Sequence, residues 1–275
     1  MARVEKLTGI PQEKVAAVSA AYTSEGASVD VVRDHDGTLT ILATWPDDTL
    51  PESLANRTKA MQAPPTAGTV STRNEPVSTS LDFSELHQEY QDLFAKMIIL
   101  PSRMGMVEEQ VGRIALNQSR YRQFVAGLGT QIPWHAVALL HSTEDPADVG
   151  RFQHHLANGD PLTDRTINFP AGRPPVGTPP FKWEDSAKDA LDLMRILSES
   201  DWSTPHLLFL FERHDGFGYR RGQGMATPYL WSFSNLYAHG KYVSEKEWNP
   251  NAVYDKAGAA VLLKMMVDRG LVTSS

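Results

Sequence analysis

The chain has 275 residues, 41% of them hydrophobic and 21% charged, which is ordinary for a globular protein and enough for a sizeable core. Its formal net charge of −7 argues against a broad basic footprint for nucleic acid or for polyanionic membranes, because Lys and Arg drive such binding. Cysteine is absent, which excludes disulfides, a thiol nucleophile and a thiolate zinc site.

The N-terminal stretch MARVEKLTGIPQEK has no apolar core behind its basic residues. Nowhere does the chain hold a run of about 18 apolar residues, so neither a signal peptide nor a membrane span is expected. Residues 11–25 read as a helix, with Pro11 at its first position and Val15, Val18 and Tyr22 at helical spacing. The period then changes to two. Val29 and Val31 alternate before Asp36-Gly37, and Leu39, Ile41, Ala43 and Trp45 alternate after it, which predicts a hairpin. A helix on two strands buries little, so this α-β-β unit, residues 1–45, is expected to dock on a partner or to self-associate. Residues 46–80 carry five prolines among Ser, Thr and Gly and read as a linker, with room for one short helix over 52–62.

From residue 81 the pattern is helical. Asp82 or Ser84 caps DFSELHQEYQDLFAKMIIL, and one helix is predicted over 106–129, stopping at a glycine pair. IPWHAVALLHSTEDP follows, then an irregular Gly- and Pro-rich stretch over 146–185 in which INF, 167–169, is the only strand-like piece. Further helices are predicted at WEDSAKDALDLMRILSE, TPHLLFLFER, PYLWSFSNLYAHG and AGAAVLLKMMVDRG. The fold class is mainly α within α+β: a helical domain, 81–275, interrupted by one long loop or small hairpin.

Irregular segments on a rigid scaffold often carry chemistry, and this loop starts at Glu144. Asp145 precedes Pro146 and is biased out of the helical region, so the helix is expected to stop at Glu144. Apolar neighbours and the negative end of the helix dipole both disfavour a charged carboxylate there. Such an acid suits proton donation to a leaving sugar oxygen. A plain solvated acid at a helix end is the dull alternative. In HLANGDPLTDRT, Asp160 sits in a turn signal sixteen positions later, either as the second carboxylate of a glycan cleft or as a residue that merely shapes the loop. His141 shares the helical face of Glu144, and Thr163 is placed to orient a water.

Glu212, near the end of an apolar helix, is an alternative second carboxylate. The glycine spacing of FERHDGFGYRRGQG is not a phosphate-binding fingerprint, and the stretch reads as a turn at the cleft wall with Tyr219 turned toward substrate or core. Tyr229 and Trp231 head an aromatic series that either packs in the core or stacks on sugar rings. Nine histidines raise a metal reading through His141, His154 and His155 with Asp145 or Asp160. No HExxH spacing is present and no metal or other cofactor is expected. The chain also lacks the GxSxG elbow of a serine hydrolase.

Six stretches in series, IPWHAVALLHSTE, HLANGDPLTDRT, PAGRPPVGTPPFKWEDSAKDAL, FERHDGFGYR, PYLWSFSNLYAHGKYV and AGAAVLLKMM, resemble the bacterial and phage lysozyme family proteins of the lysozyme-like superfamily. The resemblance covers residues 132–266 and extends weakly upstream to about 82. It implies a helical lysozyme-like fold that cleaves peptidoglycan glycan strands at β-1,4 bonds, with the general acid at Glu144. The chain departs from the family's pattern at His214-Asp215, where Tyr-Asn is usual, and at Asp145-Pro146. Alternatives are a lytic transglycosylase, a chitinase- or chitosanase-type glycosidase, and a wall-binding module without catalysis. A wall hydrolase without a signal would be made in the cytoplasm and released by a holin, a phage tail or a contractile secretion device.

Overall fold

The computed structural model describes residues 70–244 and 247–273 and, before these, 3–10, 27–33, 39–45 and a few single positions around 15–23. The chain forms two units, Met1–Thr69 and Val70–Ser275. Of the helix predicted over 11–25 only residues 15, 16, 19 and 23 are described, each of them helical, and the Asp36-Gly37 turn and residues 46–69 lie outside the described residues.

The first unit contains a three-stranded antiparallel sheet. Strands β1 (Arg3–Ile10) and β2 (Ser28–Arg33) flank β3 (Leu39–Trp45). The β2–β3 pairing follows the alternation in the sequence, with Val31 opposite Ile41. Strand β1 was not expected, because RVEKLTGI shows no clean alternation. Its order comes from pairing with β3, Val4 opposite Thr44 and Leu7 opposite Ile41, with an irregularity before Ile10. Ile41 is fully buried.

The second unit is mostly helical. Its helices are α1 (Phe83–Lys96), α2 (Met104–Leu116), α3 (Gln118–Leu128), α4 (Trp134–Glu144), α5 (Trp183–Leu193), α6 (Thr204–Asp215), α7 (Gly218–Gln223), α8 (Pro228–Trp231) and α9 (Ala259–Asp268). Asp82 caps α1 by accepting from Ser84 N at 2.9 Å. The helix predicted over 106–129 is two helices. Asn117 breaks it, its side-chain amide donating to the Arg113 carbonyl at 2.9 Å. Gly129, in the left-handed conformation at φ 67°, ends α3 where the glycine pair predicts a stop.

Helices α4 and α9 form the centre. Every residue from Ala136 to Thr143, and Ala259 to Leu263, is buried, and α9 packs on α2, α4, α6 and α8. At α9's start, the backbone of α8 crosses so closely that a Cβ on Gly258 would overlap the Leu230 carbonyl and the Trp231 nitrogen.

The aromatic stretch PYLWSFSNLYAHG is helical only at α8. The chain then turns, with Phe233 left-handed at φ 71° and Ser234 Oγ donating to the Trp231 carbonyl at 2.6 Å. A hairpin that the sequence reading missed follows, β4 (Lys241–Ser244) with β5 (Glu247–Asn249).

Residues 70–80, read as linker, belong to the helical unit. Arg73 N and Glu75 N donate to the carbonyls of Asn235 and Leu236, Ala226 N donates back to Glu75, and Val77 N to Gly224. Glu75 is buried between Arg73 and Lys96 at 2.9 and 2.6 Å. Among the described residues no helix is long and apolar enough to cross a membrane.

Candidate functional site

Helix α4 ends at Glu144, as Pro146 predicts, with Asp145 extended at φ −138° and ψ 91°. Lys256 Nζ donates to the Glu144 carbonyl at 2.7 Å, placing a cation at the negative end of the helix. The Glu144 side chain, 19% exposed, faces a cavity of about 760 Å³. Its Oε1 accepts from the Tyr229 hydroxyl at 2.8 Å and lies 3.1 Å from His214 Nε2. Thr143 Oγ1 stands 3.0 Å from the same tyrosine hydroxyl.

His214 and Asp215 come from the end of α6, where Gly216 turns the chain at φ 101°. Asp215 is the second carboxyl lining the cavity. Its Oδ2 accepts from Thr227 Oγ1 at 2.7 Å, and Thr227 also caps α8, on which Tyr229 stands. Asp215 is exposed at the cavity, yet the protein packed around its position still desolvates the carboxyl. Burial is therefore the main force pushing it up to about 7. The Thr227 hydrogen bond and His214 oppose the rise, and the charges of Glu144 and Glu212 add to it. Burial works against a charged His214, but the hydrogen bond and charge of Glu144, with the charge of Asp215, outweigh it and hold the imidazole above its ordinary value.

The other side chains singled out from the sequence lie elsewhere. Asp160 is buried and lines no part of the cavity. Its carboxylate accepts from Ile167 N at 2.7 Å, Asn168 N at 2.9 Å, Asn168 Nδ2 at 2.6 Å and Asn158 Nδ2 at 3.0 Å. Burial raises its pKa, but these four bonds prevail and hold it below the usual carboxylate range. Its place is that of the turn-shaping residue, and the anchored loop, not the carboxylate, reaches the cleft through Asn158 and Asn168.

Glu212 faces away from the cleft, in a buried pair with Arg220 at 2.9 Å to each oxygen, and accepts from the Tyr90 hydroxyl at 2.7 Å. A buried charge so fully paired belongs to the framework. His141 is also core, bonded to the Tyr121 hydroxyl at 2.8 Å and to Asp148 at 3.0 Å. Thr163 is exposed in the loop and lines no part of the cavity. Tyr219 packs behind the β4–β5 hairpin against Tyr242 and Trp248, accepting from Tyr242 N at 3.2 Å. Trp231 is buried. Of that aromatic series, Tyr229 reaches the site, and Tyr254, read from no motif, lines it too.

The sequence reading missed Asp215 and His214 as site residues, although the signal was present: Asp215 ends an apolar helix just before a chain break, as Glu144 does. Among the described residues no cluster of three or more His, Asp or Glu side chains is placed to hold a metal ion. Two carboxyls, an imidazole and a phenol thus share one concave site, in which His214 and Asp215, both raised, are the groups suited to exchange protons near neutral pH. Comparison with protein-family models, with curated proteins and with solved structures finds no match for this chain.

Proposed function

We propose that the chain is a glycoside hydrolase of lysozyme type that cleaves β-1,4 bonds of peptidoglycan glycan strands, with a lysozyme-like helical domain over residues 70–275. The observation that carries the reading is the pair Glu144 and Asp215, two carboxyls that end two apolar helices and line one cavity of about 760 Å³. Acid–base cleavage of a glycosidic bond needs two such groups.

In the proposed step, Glu144 takes a proton from His214 across their hydrogen bond and passes it to the leaving glycosidic oxygen as the C1–O bond breaks. Water adds to C1 and loses its proton to Asp215, whose pKa of about 7 makes it an effective base near neutrality. His214, hydrogen-bonded to Glu144, is the adjacent proton source for restoring the acid. Tyr229 fixes the orientation of the Glu144 carboxyl from a buried position. The resemblance of the six sequence stretches to lysozyme family proteins agrees with this assignment of Glu144.

Incubation with purified sacculi, chitin oligomers and chitosan, followed by mass analysis of the products, tests the reading. Reducing ends from sacculi are expected, and they must vanish in Glu144→Gln. Products with 1,6-anhydro ends would replace the water step by an intramolecular one. Cleavage of chitosan alone, or binding to sacculi without cleavage, would overturn the assignment.

A further inference from the structure

The loop over 166–173 carries a feature that the roles of Glu144, Asp215 and Tyr229 leave unused. Phe169 lines the cavity and is 82% exposed. Leaving such a side chain in water forgoes the stabilisation that burying it would give.

Hydrogen bonds brace the loop that carries this ring. On one side Asp160 holds Ile167 N, Asn168 N and Asn168 Nδ2. On the other, Thr166 Oγ1 donates to the Pro170 carbonyl at 2.5 Å and accepts from Arg173 N at 2.8 Å. Gly172 N then closes the loop on the Thr166 carbonyl at 2.8 Å. An aromatic ring thereby stands at the cavity, which Asn158 and Asn168 also line. A pyranose offers matching chemistry, an apolar C–H face for the ring.

We propose that Phe169 is a sugar-stacking platform of the cleft and that Asp160 is the positioning residue that holds it in place. The inference rests on the glycan-hydrolase reading and names how that site grips its substrate.

Titration calorimetry of the full chain with β-1,4-linked N-acetylglucosamine oligomers, alongside kinetics on soluble glycan strands, tests it. Phe169→Ala should weaken binding and raise KM by about tenfold or more, with kcat within about twofold and melting unchanged. Phe169→Trp should restore binding. Asp160→Asn should raise KM in the same way, and if that variant does not fold, the Phe169 pair carries the test alone. Parental binding and KM in Phe169→Ala, or no rescue by Trp, overturns the platform. If Glu144→Gln abolishes cleavage while Phe169→Ala binds as the parent does, the platform alone falls. If the parent neither binds nor cleaves any of these glycans, the hydrolase reading falls with it.

Discussion

Asp215→Asn keeps the side chain's size and an acceptor for Thr227 Oγ1 while removing the charge. The parent carboxyl is pushed up from 3.8 to about 7, first by burial. An acid raised in the folded state holds its proton more tightly there than in the unfolded chain. The protein therefore loses stability as pH rises from about 4 to about 7 and carries the full penalty above that. A rise of this size corresponds to at most about 4 kcal/mol. Asp215 opens onto the cleft, and solvent screening reduces the figure to about 1–2 kcal/mol. Asparagine escapes the penalty, so at pH 8 the variant should melt roughly 2–8 °C above the parent, a gap that closes as pH approaches 4. Turnover on sacculi should fall by about a hundredfold or more, because the base is gone. Differential scanning calorimetry across pH, with a reducing-end assay on the same preparations, reads both effects. A variant that melts below the parent at pH 8, or that keeps parental turnover, refutes the assignment of Asp215.

Glu144→Gln should cost more than about a hundredfold in glycan cleavage. Burial of His214 would then act without the opposing carboxylate, so its NMR titration midpoint should move down; an unmoved midpoint would mean the pair is not formed in solution. Asp160→Asn turns an amide donor toward atoms that already donate, and should destabilise the unit by about 1–3 kcal/mol. Unchanged melting in that variant would contradict the anchoring role. A chain starting at Val70 should melt as the helical unit does in the full protein, whereas one starting at Ser80 loses the bonds of Arg73, Glu75 and Val77 and should melt lower. Equal melting of the two shortened chains would return residues 70–79 to the linker.

Much of the helical unit was legible because its signals are local. Asp82, Gly129 and Pro146 each act within a turn of their own position, and the apolar periods of α4, α6 and α9 are long enough to stand alone. What escaped was set by contacts distant in sequence. Strand β1 exists through β3, and the turn after Trp231 through a left-handed Phe233 and a serine hydroxyl. Segment 70–80 has linker composition, yet its backbone finds partners more than 140 residues away.

At the site the sequence led to Glu144 by a physical argument about helix ends, but that argument was not carried to α6, where it reaches Asp215. Asp160 and Glu212 misled for a common reason. Whether a carboxylate is chemically free depends on who already donates to it, and the donors to Asp160 and Glu212 become visible only when the chain is folded.

The crowding of Gly258 against α8 makes the cleft vulnerable from a position that lines no part of it. Tyr229 stands between Pro228 and the Leu230 carbonyl that a single added methyl at position 258 would displace, and its hydroxyl lies 2.8 Å from Glu144 and 3.0 Å from Thr143 Oγ1. Misplacement of such a group by about 1 Å is enough to cost a hundredfold in rate. Lesions that weaken the proposed activity can therefore leave every residue lining the cavity unchanged, and a search for them should reach residues that line nothing.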